Sequence, residues 1–130
     1  MLTDPIKAKI DQPRENINIP VGDGGPVDAN VGDNITALLN STVRIICQAS
    51  GVPRPQVTWK KDGKTFPLQK SILIDEDGNL LLPSVKIEDK GRYTCIVENE
   101  FGKDTSSSNV DVVCKFLTVY NRICKDGKPV

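Results

Sequence analysis

Four cysteines are the residues whose chemistry this sequence constrains most closely: Cys47, Cys95, Cys114 and Cys124. An even number of cysteines in a chain of 130 residues predicts two disulfides and an oxidising compartment. Three pairings are open, because the sequence alone does not fix the connectivity. No two of the cysteines have the C-x-x-C spacing of a structural zinc site. The cysteines therefore favour covalent cross-linking over metal binding.

Enzymatic chemistry lacks its usual side chains in this sequence. Histidine, the commonest general base and metal ligand, is absent. The carboxylates of residues 75–77 fall in a predicted turn, and the serines of residues 106–108 have no base to activate a hydroxyl. The sequence contains neither a phosphate-binding glycine loop nor the spacing of a calcium loop. We therefore expect no catalysis, no cofactor and no metal site.

The charge balance limits the class of partner. The 17 basic and 17 acidic residues cancel, which argues against general electrostatic binding of nucleic acid. No apolar run approaches the roughly 20 residues that a membrane-spanning helix needs. Residues 1–20 lack the apolar core of a signal peptide, so Met1 is interpreted as the start of an expressed fragment without its leader. We expect neither nucleic-acid binding nor membrane insertion.

Two triplets fit the acceptor rule for N-glycosylation, one from Asn34 to Thr36 and one from Asn40 to Thr42. Such triplets also arise by coincidence in any sequence. Two of them close together in a chain that is expected to be secreted favour glycosylation of at least one. A glycan at this place would keep a strand edge solvated and discourage the pairing of sheet edges between molecules.

The elements that must position these residues are predicted to be strands. Val43, Ile45 and Cys47 alternate with polar neighbours, which is the period of a strand with one buried face. Asp-Gly pairs at residues 62–63 and 77–78 predict tight turns, because aspartate and glycine tolerate positive φ. Seven or more short strands, with turn signals about every ten residues, predict an all-β antiparallel sandwich of two sheets.

Cys47, Trp59 and the run from Asp89 to Cys95 form one set of residues. This set resembles the immunoglobulin domain of the I-set type, over about residues 35–113. The resemblance implies a disulfide between Cys47 and Cys95 that pins the two sheets, with the Trp59 indole packed against the sulfurs. It implies that the Tyr93 hydroxyl bonds back to the backbone. It leaves Cys114 to pair with Cys124, or with another domain or chain. The residues that carry it are Cys47, Trp59, Leu80, Leu82, Asp89, Gly91, Tyr93 and Cys95.

The extra cysteines and the stretch from Asn34 to Val43 further resemble single immunoglobulin domains of extracellular-matrix proteins, such as the ADAMTS-like, papilin and hemicentin groups. Three units are expected from this resemblance. Residues 1–33 form an extended linker that can contribute one edge strand at residues 17–21. Residues 34–113 form the domain, and residues 114–130 form a tail closed by a disulfide between its two cysteines.

The resemblance implies an extracellular, non-enzymatic module of a larger secreted matrix or cell-surface protein, with roles in adhesion, reception or matrix organisation. A rigid sheet face bearing the strands around Trp59, Tyr93 and Val110 is expected to contact a protein partner, either a receptor or a matrix component. The alternative is an intracellular I-set spacer of the sarcomeric type, in which all cysteines stay reduced and both glycosylation triplets stay unused.

Two groups of residues are candidates for partner contact. Cations around one hairpin would attract an acidic protein patch or a sulfated glycan, although a solvated edge is the simpler explanation of them. An aromatic side chain at the tip of the last hairpin would anchor a partner, or else pack locally. The cations are Lys60, Lys61, Lys64, Lys70 and Arg54, and the aromatic residue is Phe101.

Overall fold

A computed structural model describes residues 4–11, 17–19, 26–65 and 73–113, and the backbone of residues 124–125 and 128–129. In these residues the chain forms strands and turns, with one 3₁₀ turn at Ile87–Asp89. The strands are β1 (Ile6–Ile10), β2 (Asn18–Ile19), β3 (Val27–Asn30), β4 (Asn34–Leu38), β5 (Val43–Ile46), β6 (Ala49–Val52), β7 (Gln56–Lys61), β8 (Lys64–Thr65), β9 (Leu73–Ile74), β10 (Leu80–Leu82), β11 (Gly91–Asn99), β12 (Gly102–Val113), β13 (Cys124–Lys125) and β14 (Lys128–Pro129).

Two large sheets carry the fold. One is a 6-stranded sheet in the order β2-β4-β12-β11-β7-β8, and the other is a 4-stranded sheet in the order β3-β5-β10-β9. Strand β11 lies between β12 and β7 and is antiparallel to both, whereas β4 runs parallel to β12. Strand β1 pairs with β6 in a 2-stranded sheet. The predicted all-β sandwich is confirmed.

The core forms where alternate side chains of the two sheets meet, because a strand turns every second residue to the same face. The positions expected to point inward are buried in one cluster, whereas Val57 is only partly buried at its margin. The buried positions are Val43, Ile45, Cys47, Trp59, Leu80, Leu82, Val85, Tyr93, Cys95, Val97, Val110 and Val112.

The predicted Asp-Gly turns are present. Residues 62–63 join β7 to β8 with φ of 53° and 81°, the left-handed pair that matches the twist of a hairpin. In the second turn the Asp75 carboxylate accepts hydrogen bonds from the backbone N–H groups of Asp77 and Asn79, both at 2.9 Å. Gly78 follows with φ of 86°, a value that favours glycine. Local hydrogen bonding thus fixes the start of β10.

The described part of residues 1–33 is not the extended linker that was expected. Strand β1 pairs antiparallel with β6, and β3 pairs parallel with β5. Ala8, Ala29 and Val31 are buried in the core, with exposed fractions of 4%, 5% and 2%. The expected edge strand at residues 17–21 appears as the two-residue β2, which pairs with β4. These apolar residues are small and scattered, and they show no clear strand or helix period. Their burial in the core was therefore not predicted from the sequence.

The C-terminal tail contributes one described feature, a short antiparallel pair of β13 with β14. The expected bridge between Cys114 and Cys124 lies outside the residues whose side chains are described. That bridge, and the separation of residues 114–130 as a tail, remain predictions.

Candidate interaction surface

The disulfide between Cys47 and Cys95 is formed and lies in the core. Its two Cα atoms are 6.6 Å apart, and both residues are 0% exposed. Trp59 lies directly across from Cys95 in the register of β7 with β11, and the indole is only 2% exposed. The Trp59 Nε1–H donates to the Gly78 carbonyl at 2.7 Å, so the buried polar end of the indole is paired. This unit joins the two sheets rigidly.

A second fixed point is the corner that leads into β11. The buried Tyr93 hydroxyl donates to the Asp89 carbonyl oxygen at 2.6 Å, as the resemblance implied. The Asp89 carboxylate accepts from the Lys86 N–H at 2.8 Å and closes the 3₁₀ turn. Burial, followed by the nearby charges of Asp89 and Asp62, raises the pKa of the Tyr93 phenol well above its ordinary range. The phenol is therefore held in its neutral, donating form.

We call the outward-facing side of β7, β11 and β12 the front face. Its centre is a shallow depression of about 630 Å³. The depression is lined along β11 and β12 by Ile96, Thr94, Thr105 and Ser107, and the Thr94 and Ser107 hydroxyls lie 2.7 Å apart. Ile96 is half-buried although it points away from the core. The front face thus offers one apolar contact among hydroxyl groups.

Three cations border this depression. Lys60 is the register partner of Thr94, and Arg92 and Lys103 line the depression near its two ends. None of the three forms an ion pair with another residue of the described chain. Glu98 stands opposite Lys103 in the register of β11 with β12. Asp62 also lines the depression, so the rim is mixed in charge.

The predicted basic cluster is divided by the fold. Lys60 borders the front face, but Lys61 donates to the Glu88 carbonyl and lies over the Tyr93 ring, 5.8 Å from its centroid. Lys61 is thus engaged in the corner and is not free at the surface. Lys64 is exposed on the edge strand β8. Arg54 is exposed in the loop between β6 and β7, and Lys70 lies outside the described residues.

The end of the sandwich formed by the turn between β11 and β12 and the start of β1 carries exposed apolar side chains. Phe101, in the turn between β11 and β12, is 44% exposed, and Ile6 at the start of β1 is 51% exposed. Both are linked to Asn99, whose Nδ2 donates to the Ile6 carbonyl at 2.8 Å and whose Oδ1 accepts from the Phe101 N–H at 3.0 Å. The same Nδ2 donates to the Pro53 carbonyl at 2.9 Å. The predicted contact residue Phe101 thus has an exposed neighbour.

Sequence reasoning missed both Ile6 and the part that Asn99 plays. The hydrogen bonds of Asn99 to residues more than 40 positions away carry no signal in the sequence, because they depend on the loop and β1 meeting at this end. The two glycosylation candidates are both exposed, Asn34 in β4 and Asn40 in the turn that follows it.

Among the residues that the structure describes, no three histidine, cysteine, aspartate or glutamate side chains cluster as a metal site would require. In the same part of the chain, no helix has the length and apolar character needed to cross a membrane.

Comparison with known proteins identifies the family. The sequence model of the immunoglobulin I-set domain matches residues 27–112. The chain is 36% identical to mouse hemicentin-2 over 90 residues, 68% of this chain and 2% of that protein. It is 36% identical to human ADAMTS-like protein 3 over 103 residues, 79% of this chain and 5% of that protein. Identity to the titin homolog of Caenorhabditis elegans is 39% over 83 residues, 62% of this chain and less than one-hundredth of that protein.

Solved structures agree with this assignment. The structure titled Sidekick-1 immunoglobulin domains 1-4 superposes with a TM-score of 0.66 at 21% identity, covering 84% of this chain and 25% of that one. Titin domain M7 superposes with a TM-score of 0.63 at 25% identity, covering 85% of this chain and 97% of that one. The resemblance to the hemicentin and ADAMTS-like groups is confirmed, although this chain spans only a small part of either protein. The chain belongs to the immunoglobulin I-set domain family.

Proposed function

We propose that this domain is an extracellular, non-enzymatic module that binds a protein partner through its front face. The observation that carries the proposal is the depression at the centre of that face, where half-buried Ile96 lies among hydroxyl groups. Lys60, Arg92 and Lys103 border it without ion-pair partners in the described chain. A small apolar centre inside a polar rim is the usual anatomy of a protein interface.

The rigid frame supports this function. The disulfide fixes the two sheets, and the Tyr93 hydroxyl bond fixes the corner beside β11. A surface that is held in one conformation before binding loses little conformational entropy on association. The front face is therefore suited to recognise a partner without rearranging.

Three features support the extracellular location. Disulfides persist in oxidising compartments, and the Cys47–Cys95 bridge lies in the core. Two triplets fit the glycosylation rule, and their acceptors are exposed. The relatives include hemicentin-2 and ADAMTS-like protein 3, the groups whose domains are expected in the extracellular matrix.

A second candidate function is an intracellular spacer in a long array of domains. The similarity to the titin homolog and to titin domain M7 favours it. In that role the four thiols stay reduced and both glycosylation triplets stay unused. Titration of free thiols in protein isolated from its native source separates the two functions, since four free thiols support the spacer and none supports the extracellular module.

The front face is tested with a matched pair of substitutions. Ile96 on β11 and Ile46 on β5 are both half-buried isoleucines at outward-facing positions, one in each large sheet. Binding of the oxidised chain to a panel of purified extracellular proteins is measured by surface plasmon resonance. We expect Ile96→Glu to weaken the partner's affinity at least about tenfold, which corresponds to about 1.4 kcal/mol, and Ile46→Glu to leave it unchanged.

Two outcomes contradict the proposal. One is a partner whose affinity falls equally with Ile96→Glu and Ile46→Glu, since the contact would then not belong to the front face. The other is binding of heparin alone, abolished by Lys60→Ala and unaffected by Ile96→Glu. That result would assign the cations to a sulfated glycan in place of a protein.

A further inference from the structure

An asparagine ladder crosses three neighbouring strands of the 6-stranded sheet. Asn18 in β2 and Asn109 in β12 both stand opposite Asn34 in β4 in the register of these parallel strands. The Asn109 Nδ2 donates to the Asn34 Oδ1 at 3.1 Å, and the Asn34 Nδ2 donates to the Asn18 Oδ1 at 3.1 Å. Both polar atoms of the Asn34 amide are therefore used in holding β2 and β12 to β4.

The second acceptor candidate has a different environment. Asn40 lies in the turn between β4 and β5 with φ of 73°, a left-handed conformation that asparagine tolerates well. The Asn40 Oδ1 accepts a hydrogen bond from the Lys86 Nζ. The Asn40 Nδ2 has no partner within the described chain, and the residue is exposed. Among the described residues, the atom that glycosylation modifies is thus unpaired at Asn40 and engaged at Asn34.

We propose that the two triplets differ in role: Asn40 carries an N-linked glycan, and Asn34 stays unmodified as the central amide of the asparagine ladder. This proposal rests on the extracellular location proposed above. The donor is an oligosaccharide carried on a lipid diphosphate. A bond forms between the Asn40 Nδ2 and the anomeric carbon, the bond from that carbon to the diphosphate oxygen breaks, and the nitrogen loses one proton.

The position of Asn40 is compatible with binding at the front face. Its N–H donates to the Val85 carbonyl at 2.8 Å, and the neighbouring Leu39 N–H donates to the carbonyl of Val113 at 2.7 Å. Val113 ends β12, whereas the turn with Phe101 precedes the start of that strand. A glycan on Asn40 therefore projects at the end of the sandwich opposite Phe101 and leaves the central depression open.

A glycan on Asn34 would conflict with the fold. The sugar would replace one hydrogen of the nitrogen that donates to Asn18, at the point where β2 lies against β4. The nitrogen keeps one hydrogen after glycosylation, so the sugar would have to lie beside the Asn18 Oδ1 that this nitrogen contacts at 3.1 Å. Loss of the ladder would remove the hydrogen bond between the Asn34 and Asn18 side chains, which helps to hold the short strand β2 on the sheet.

The test is glycopeptide mass spectrometry on the whole 130-residue chain, secreted from animal cells behind an added signal peptide. We expect a glycan on Asn40 and an unmodified Asn34. Asn40→Gln and Thr42→Ala should each abolish the mobility shift on treatment with a peptide N-glycosidase. Thr36→Ala, which removes the other triplet and keeps the Asn34 amide, should leave that shift intact.

Other occupancies overturn the proposal. A glycan on Asn34, alone or together with one on Asn40, shows that the ladder does not reserve that amide. Two unmodified asparagines refute glycosylation of Asn40, and thiol titration of protein from its native source then shows which proposal has failed. A Cys47–Cys95 bridge in protein from its native source would leave the extracellular location standing, whereas reduced thiols there would remove both.

Discussion

The disulfide-bonded frame and the N-terminal segment are held by different forces. The frame, made of β5, β7, β10, β11 and β12, is joined by buried apolar side chains and by the Cys47–Cys95 bridge. In the N-terminal segment, the described part of residues 4–33, the buried apolar side chains are the small Ala8, Ala29 and Val31, and its larger apolar side chains are only partly buried or exposed. The two backbone donors of Ala8 and Ile10 bond to side chains of other strands, Asn99 at 3.2 Å and Asp104 at 2.8 Å.

This difference predicts two levels of stability in one domain. Apolar burial and a covalent link oppose opening of the frame as a unit. Side-chain hydrogen bonds to a strand are individually worth about 1 kcal/mol, so the N-terminal segment is expected to open separately and more often. Asn99 and Asp104 also occupy backbone donors that β1 would otherwise present as a free sheet edge. The Asn99 and Asp104 side chains therefore both hold β1 in place and occupy its outward backbone N–H groups.

The largest expected effect comes from breaking the frame. Cys47→Ala should lower the free energy of unfolding by about 2 to 5 kcal/mol, because the unfolded chain loses its cross-link and the core gains an unpaired thiol. Urea denaturation followed by tryptophan fluorescence measures this change, and reduction of the wild-type disulfide should reproduce it. Equal stability of the oxidised wild type and the variant would contradict a bridge between the sheets.

A smaller and more local effect is expected where the two regions meet. Asn99→Ala removes the acceptor of the Ala8 N–H and the donor to the Ile6 and Pro53 carbonyls, and should cost about 1 to 2 kcal/mol. Amide hydrogen exchange should accelerate at Ala8 and stay unchanged at Val97.

Asp104→Ala is the matched control for Asn99→Ala, since it releases the Ile10 N–H and the adjacent Thr105 N–H but leaves the Ala8 N–H bonded to Asn99. We expect faster exchange at Ile10, with the loop around Pro53 unaffected. Equal acceleration across β1 and β11 in the Asn99 variant would show that the segment and the frame open as one unit, which would remove the distinction drawn between them.

The smallest expected effect concerns a single hydroxyl in the frame. Tyr93→Phe loses the hydrogen bond to the Asp89 carbonyl and should cost about 1 kcal/mol at neutral pH. Because the folded phenol has a raised pKa, its contribution is fully present below the ordinary value of 10.0 and is lost as the pH rises above it. Stability should therefore fall less steeply above pH 10 in Tyr93→Phe than in the wild type.

The pH dependence is checked by urea titrations on both sides of pH 10, with Tyr120→Phe as the control. The chain has 2 tyrosines, so this pair separates Tyr93 from the only other phenol. Parallel decline of the wild type and Tyr93→Phe would show that Tyr93 does not titrate differently in the folded state.

The frame was predictable because its physical cause is local. Val43, Ile45 and Cys47 alternate with polar residues, and the Asp-Gly pairs supply the positive φ that their turns require. The resemblance to the I-set domain at Trp59, Tyr93 and the two cysteines then implied one kind of sandwich. Apolar period and turn chemistry are properties of neighbouring residues, so they can be read before the chain is folded.

The front face and the N-terminal contacts were not predictable to the same degree. The sequence grouped Lys60 with Lys61, but the strand period places them on opposite sides, and Lys61 is engaged by the Glu88 carbonyl. Ile6 and Asn99 are 93 positions apart, and nothing near either residue indicates that they meet. Such contacts depend on where separate strands are placed by the packing of the whole core.

The amino-acid order alone determined the strand-rich class and the inward-facing positions, since each follows from spacing along one strand or turn, whereas the Cys47–Cys95 pairing was implied by the resemblance to the I-set domain. Only the folded arrangement decided that residues 27–30 join the 4-stranded sheet and that three asparagines align in register. It also decided that, within the part of the chain that the structure describes, the side-chain nitrogen of Asn34 is engaged and that of Asn40 is not. The reason is physical: side-chain period is set within a strand, whereas hydrogen-bond partners across strands exist only after the layers have come together.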